Sequence, residues 1–142
     1  MSVQPPPIYE TISNDEGKAE LPWTLFFNQI YDGDAGTLWT PTFQNLTATG
    51  TPTITGRYYR ISNYLKAFNI TITPDTDTSS TAGTTYCDNF PIATNGNGFC
   101  VAVGGVLSVG TGIVQNLTGR IYPPAWTSVT VPVSILGIVE AT

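Results

Sequence analysis

Five aspartates are the side chains best suited to acid–base work: Asp32 and Asp34 in one loop, Asp75 and Asp77 in another, and Asp88 alone. Two facing carboxylates can cleave a glycosidic bond, one protonating the leaving oxygen while the other attacks or activates water. Four of these five sit among Gly, Thr and Pro, where short acidic side chains bond to nearby backbone and make turns. Turn formation is therefore the expectation for them. Asp32-Gly33-Asp34-Ala35-Gly36 starts like a calcium loop but lacks the third oxygen ligand and the distal Glu. The sequence has no histidine, which removes Ser-His-Asp and Cys-His catalysis and the usual zinc sites. Cys87 and Cys100 are too few for a Cys-rich metal centre. They flank Asn95-Gly96-Asn97-Gly98, which reads as a hairpin turn, and across it the two thiols could approach each other. Without an export signal they are expected to be reduced and partly buried. No catalytic residue, cofactor or metal is expected, so the chain reads as non-enzymatic.

Binding motifs are equally sparse. Gly96-Asn97-Gly98 and Gly110-Thr111-Gly112 are bare G-x-G fragments that open no helix, so they carry no nucleotide-binding signal. Asn45-Leu46-Thr47, Asn69-Ile70-Thr71 and Asn116-Leu117-Thr118 match the glycosylation acceptor pattern, as expected by chance in so Thr-rich a chain. Trp23, Trp39 and Trp126, with Tyr58, Tyr59 and Tyr64, could line a sugar-binding surface, although core and subunit interface are the commoner uses of such rings. Five basic residues against ten acidic ones give a net charge of −5. Such a chain repels phosphate backbones and anionic lipid, so neither nucleic acid nor membrane insertion is expected, and no apolar run approaches a membrane span.

The elements that would position these groups are strands. At 142 residues the chain fits one compact domain. Only 11% of residues are charged, against about 25% in an ordinary soluble domain. Uncharged Thr, Ser and Asn take their place, and Asn89 to Val139 contains a single charged residue, Arg120. Residues 1–22 read as a distinct N-terminal arm, either a disordered tail or an extended strap laid against a partner: Pro5-Pro6-Pro7 favours an extended polyproline conformation with no internal hydrogen bonds. From residue 23 to 142 strand signals repeat at short intervals. Phe68, Ile70 and Ile72 alternate with Asn69, Thr71 and Thr73, which places three apolar side chains on one face. Val129, Val131, Val133 and Ile135 repeat that pattern, with Pro132 suggesting an edge position or an outward-facing N–H side. Asp75 to Gly83 reads as a loop. About eight such strands and no convincing amphipathic helix predict an all-β, antiparallel sandwich of jelly-roll type with an extended arm.

Several strings resemble a known module. Gly56-Arg57-Tyr58-Tyr59-Arg60-Ile61, Phe68-Asn69-Ile70-Thr71-Ile72-Thr73-Pro74, the segment from Thr78 to Tyr86, and Asn89-Phe90-Pro91 follow one another in this order. Gly119-Arg120-Ile121-Tyr122, Pro124-Ala125-Trp126 and Val129-Thr130-Val131-Pro132-Val133 close the series. Together, across roughly residues 21 to 142, they resemble a β-sandwich module of structural proteins in tailed-bacteriophage virions, especially fibres and spikes. The resemblance implies a homotrimer that binds surfaces or decorates the particle, and it supplies no catalytic residue. Long fibres carry a shaft or a large head-binding domain before this module, whereas here only residues 1–20 precede it. A short fibre, spike or tail accessory is therefore expected, assembled in the host cytoplasm and docked to other virion proteins through Pro5, Pro6, Pro7, Ile8 and Tyr9. The alternatives are a decoration or cement protein on the capsid, and a receptor-binding module that binds or cleaves host-surface glycan.

Overall fold

A computed structural model describes residues 36–104 and 107–141. Thirteen strands follow one another: β1 (Thr37–Trp39), β2 (Phe43–Gln44), β3 (Thr47–Thr49), β4 (Thr53–Arg60), β5 (Leu65–Thr73), β6 (Asp77–Ser80), β7 (Tyr86–Cys87), β8 (Thr94–Val103), β9 (Leu107–Val109), β10 (Gly112–Val114), β11 (Ile121–Tyr122), β12 (Ala125–Val129) and β13 (Val133–Ala141). The described residues are all-β, as the alternating pattern predicts. Nine strands form one antiparallel sheet in the order β1-β4-β5-β13-β8-β10-β11-β7-β2, and four form a second in the order β3-β6-β12-β9. The sheets curl into a sandwich-like half-barrel. The arm and the strand expected over Thr24–Tyr31 lie outside the described residues.

The core follows from period-two burial. Phe68, Ile70 and Ile72 on β5 and Val133, Ile135 and Val139 on β13 all point inward and are buried. β13 occupies the middle of the large sheet, pairing with β5 from Val133↔Ile72 to Glu140↔Leu65 and with β8 on its other side. Cys87, Cys100, Val114 and Ile121 extend the core along the large sheet. At one end Trp39, Tyr58, Phe68 and Phe90 pack as an aromatic cluster with ring centroids 5.5–6.2 Å apart, a spacing favoured for tilted and edge-on rings. Asn89 holds that end shut. Its amide nitrogen donates to the Thr40 carbonyl (2.9 Å), and its side-chain oxygen accepts from the Thr42 N–H (2.8 Å).

The four-stranded sheet sends in mainly small or hydroxylated side chains, Ala48, Thr78, Ser80 and Ser128, plus one large one, Trp126. The Trp126 indole N–H donates to the Thr78 hydroxyl at 3.2 Å, which satisfies its polar edge inside the core.

Three local expectations are corrected. Asn95-Gly96-Asn97-Gly98 is not a hairpin turn but lies inside β8. The β13–β8 register slips between Val139 and Ala141, so Asn95, Gly96 and Asn97 oppose Glu140 alone. A Cβ on Gly98 would fall 2.8 Å from the Val139 Cβ and one on Gly96 would meet the Glu140 side chain, so glycine is needed for space at this bulge. The continuous strand expected through Val129–Ile135 is two strands in different sheets. Thr130, with φ of 63°, turns the corner, leaving Val129 and Val131 exposed while Val133 and Ile135 are buried. Pro132 stands in that corner, where no ladder bond is asked of it, rather than in an edge strand. Finally, the Asp75–Gly83 segment contains strand β6.

Candidate functional site

The carboxylates do not converge. Asp77 sits in β6, where its two carboxylate oxygens accept from the Thr49 N–H (2.9 Å) and the Thr49 hydroxyl (3.1 Å), fastening β3 to β6. Asp75 accepts from the Thr51 N–H at 3.3 Å. Both thus bond across to distant residues of the chain rather than making the local turns that their neighbours predict. Asp88 lies beyond β7 at the far side of the large sheet and accepts from the Gln44 side-chain amide at 2.9 Å. Asp32 and Asp34 lie outside the described residues, as do Trp23 and the docking candidates Pro5, Pro6, Pro7, Ile8 and Tyr9. Among the described residues no three Asp, Glu, Cys or His side chains gather in a metal-binding group.

The cysteines are free and buried, but they do not face each other across a turn. Cys87 pairs with Ile121 on β11, and Cys100 pairs with Gly112 on β10, so two strands separate them. With two strands and a two-residue register offset between them, they form no disulfide. Burial pushes the Cys87 thiol up to about 11 and the Cys100 thiol up to about 12. Both are therefore neutral, weakly reactive core groups.

Of the candidate sugar-binding aromatics, Trp126 is core, and Trp39 and Tyr58 belong to the inner cluster. Tyr64 is exposed at the β4–β5 turn and Tyr59 is half-buried on the outside of β4. An aromatic group that spacing does not reveal lies at the opposite end of the large sheet. The Tyr86 and Tyr122 rings stand 5.2 Å apart, with the Arg120 guanidinium 4.7 Å from the Tyr86 ring centre. Only the pairing of short strands β7 and β11 brings these residues together.

The most extended surface feature is the outer face of the nine-stranded sheet. Register aligns Tyr59, Ala67, Ile138, Phe99 and Ile113 in one row across β4, β5, β13, β8 and β10. The next row runs Leu38, Arg57, Asn69, Leu136 and Val101, and the third runs Thr55, Thr71, Ser134 and Val103. Phe99, Val101, Val103, Ile113 and Leu136 are 40–55% exposed. Scattered exposed apolar residues are ordinary, but contiguous ones mark interaction surfaces. Between the first two rows lies an open depression of about 400 Å³ over the paired Phe68 and Gly137, walled by Tyr59, Asn69, Phe99 and Leu136 among others. The side-chain oxygen of Asn69 is enclosed there without a hydrogen-bond partner. On these five strands the only charged outward positions are Arg57 and Glu140. Such a surface suits contact with another apolar surface.

No protein-family model, curated protein or solved structure matches this chain.

Proposed function

We propose that this chain is a non-enzymatic structural protein of a bacteriophage particle, a homotrimeric short fibre, spike or tail accessory docked to other virion proteins through its N-terminal arm. The observation that carries this reading is the outer face of the large sheet, five strands wide, largely apolar in two of its three rows and with Arg57 and Glu140 as its charged positions, a surface that suits assembly. The resemblance-bearing strings support it from the sequence side: they fall mainly on β4, β5, β6, β12 and β13, the strands that build both sheets.

Mass spectrometry of purified phage particles from cells carrying the coding sequence tests the reading. The chain should be present at a fixed copy number, and its absence from intact particles overturns the assignment. A low copy number marks a tail component, whereas one that scales with the capsid lattice marks a capsid decoration protein. A chain lacking residues 1–20 should fold and yet fail to enter particles; normal incorporation would overturn the docking role of Pro5, Pro6, Pro7, Ile8 and Tyr9.

A second reading, glycan binding during host attachment, has its own observation. Tyr86, Tyr122 and Arg120, close to the Gln44–Asp88 hydrogen bond, combine aromatic faces with planar polar groups, a chemistry that holds sugar rings. Loss of glycan-array binding in Tyr122→Ala would support it, and an array without binders would remove it.

A further inference from the structure

We propose that Asn95 is a site of spontaneous covalent modification in the folded chain, where its side-chain amide reacts with the neighbouring Gly96 nitrogen and is replaced by a carboxylate. The proposal concerns the Asn95-Gly96-Asn97-Gly98 string and is independent of the particle reading above.

The chemistry needs no partner but water. The Gly96 backbone nitrogen attacks the Asn95 side-chain carbonyl carbon and gives up its proton. The carbon–nitrogen bond of the side-chain amide breaks, and that nitrogen leaves with the proton as ammonia. Water then opens the resulting five-membered imide at either carbonyl. One opening leaves an aspartyl residue, and the other an isoaspartyl residue whose backbone runs through the former side chain. A following glycine favours the attack, because no Cβ stands in the way and its backbone turns freely. Of the nine asparagines in the sequence, only Asn95 and Asn97 precede a glycine.

The structure separates these two. Ring closure needs the backbone nitrogen and the side-chain carbon to approach within about 3–3.5 Å, a rotation that a strand paired on both sides resists. Gly98 is paired in that way, with Val139 on β13 and Val114 on β10. Asn97 is tied as well, since its side-chain oxygen accepts from the Asn116 N–H at 3.2 Å. Asn95 and Gly96 fall in the bulge instead. The β13 ladder passes from Val139↔Gly98 to Ala141↔Thr94, and the β10 ladder ends at Val114↔Gly98. Regular pairing is thus interrupted where the attack must occur, and Asn95 is exposed to the water that completes it.

The same bulge sets the consequence. Glu140 lies over Gly96, on which a Cβ would fall 2.7 Å from the Glu140 Cβ. A carboxylate formed at position 95 therefore appears near a like charge, and it takes the chain one step below its net −5. The isoaspartyl form also lengthens the backbone by one carbon, which an irregular stretch absorbs better than a ladder does.

Peptide mapping by tandem mass spectrometry, on full chain incubated at neutral pH, reads each site separately. Urea-unfolded chain gives the intrinsic rate of each Asn-Gly pair. Folding should slow Asn97 by roughly 10-fold or more relative to Asn95. Equal protection of the two, stronger protection of Asn95, or no conversion of Asn95 while the unfolded chain converts, would overturn the proposal. Anion exchange of the intact folded chain should show a more acidic form that grows with time. Asn95→Gln, whose longer side chain cannot close the same ring, should remove most of that form; equal growth in the variant would overturn the proposal.

Discussion

The two sheets present opposite surfaces to the outside although they share one core. Across β3, β6 and β12 of the four-stranded sheet, register lines up Thr47 with Ser79 and Thr127, and Thr49 with Asp77 and Val129: hydroxyls, a carboxylate and one valine. Outside the nine-stranded sheet the equivalent rows carry Tyr59, Ala67, Ile138, Phe99 and Ile113. An antiparallel sheet with one face on the core ordinarily turns polar side chains outward, and β3, β6 and β12 of the smaller sheet obey. The larger sheet departs from that rule over its central strands, where Phe99, Val101, Val103, Ile113 and Leu136 are exposed. The inner faces reverse the contrast. The larger sheet fills the core with Ile, Val and Phe, whereas the smaller one contributes Trp126 and a set of small side chains.

That asymmetry sets the largest expected effect. Trp126→Ala removes the one large side chain by which the smaller sheet grips the core and should cost about 3–5 kcal/mol, measurable as a drop in the urea midpoint. A loss below about 1 kcal/mol would mean that the hydroxylated side chains hold this sheet by themselves.

The core thiols come next. Because Cys87 and Cys100 titrate near 11 and 12 in the folded chain, they stay protonated while an unfolded thiol, near 9.0, ionises. The unfolded state then holds fewer protons, so stability falls as pH rises from about 9 towards 11, by roughly 1.4 kcal/mol per pH unit for each thiol. Below the unfolded pKa this contribution is constant. Comparing wild type with a Cys87→Ala/Cys100→Ala chain separates it from tyrosine ionisation: the double variant should lose the excess slope, and equal slopes would place the thiols in contact with water.

On the smaller sheet, Asp77→Ala deletes both bonds to Thr49 and should cost about 1–2 kcal/mol by thermal melt. A neutral result would reduce Asp77 to a solvated surface group. Smallest of all, Thr127→Lys should change folding stability by no more than about 0.5 kcal/mol. A larger loss would show that this outer face is covered.

Alternation made part of this visible in advance. Phe68, Ile70 and Ile72, and then Val133 and Ile135, read correctly as inward positions because their polar neighbours mark the other face. The same signal misled at Val129 and Val131, where a two-residue period runs across a corner that only Thr130 and Pro132 betray. It misled again at Asn95–Gly98, whose composition suits a turn but whose glycines make room for Val139 and Glu140, more than forty positions away. The apolar outer face was visible only as short apolar runs such as Phe99–Val103. Where both faces of a strand are apolar, period two disappears, and nothing local tells core from interface. Long-range pairing decides, by setting β4, β5, β13, β8 and β10 side by side.

That pairing also has a consequence in time. β13 stands between β5 and β8, and it joins Val133 to Ile72 and Ile135 to Ala102, so no hairpin of neighbouring strands can complete the centre of the large sheet. Folding must wait for the ends of a long loop to find each other, which is slow for β proteins dominated by distant contacts. Meanwhile β5 and β8 offer unpaired edges, and at high concentration such edges invite other chains. The central strand is thus the kinetic gate of this fold: yield on refolding should depend on dilution, because one outcome closes the sheet and the other joins molecules at random.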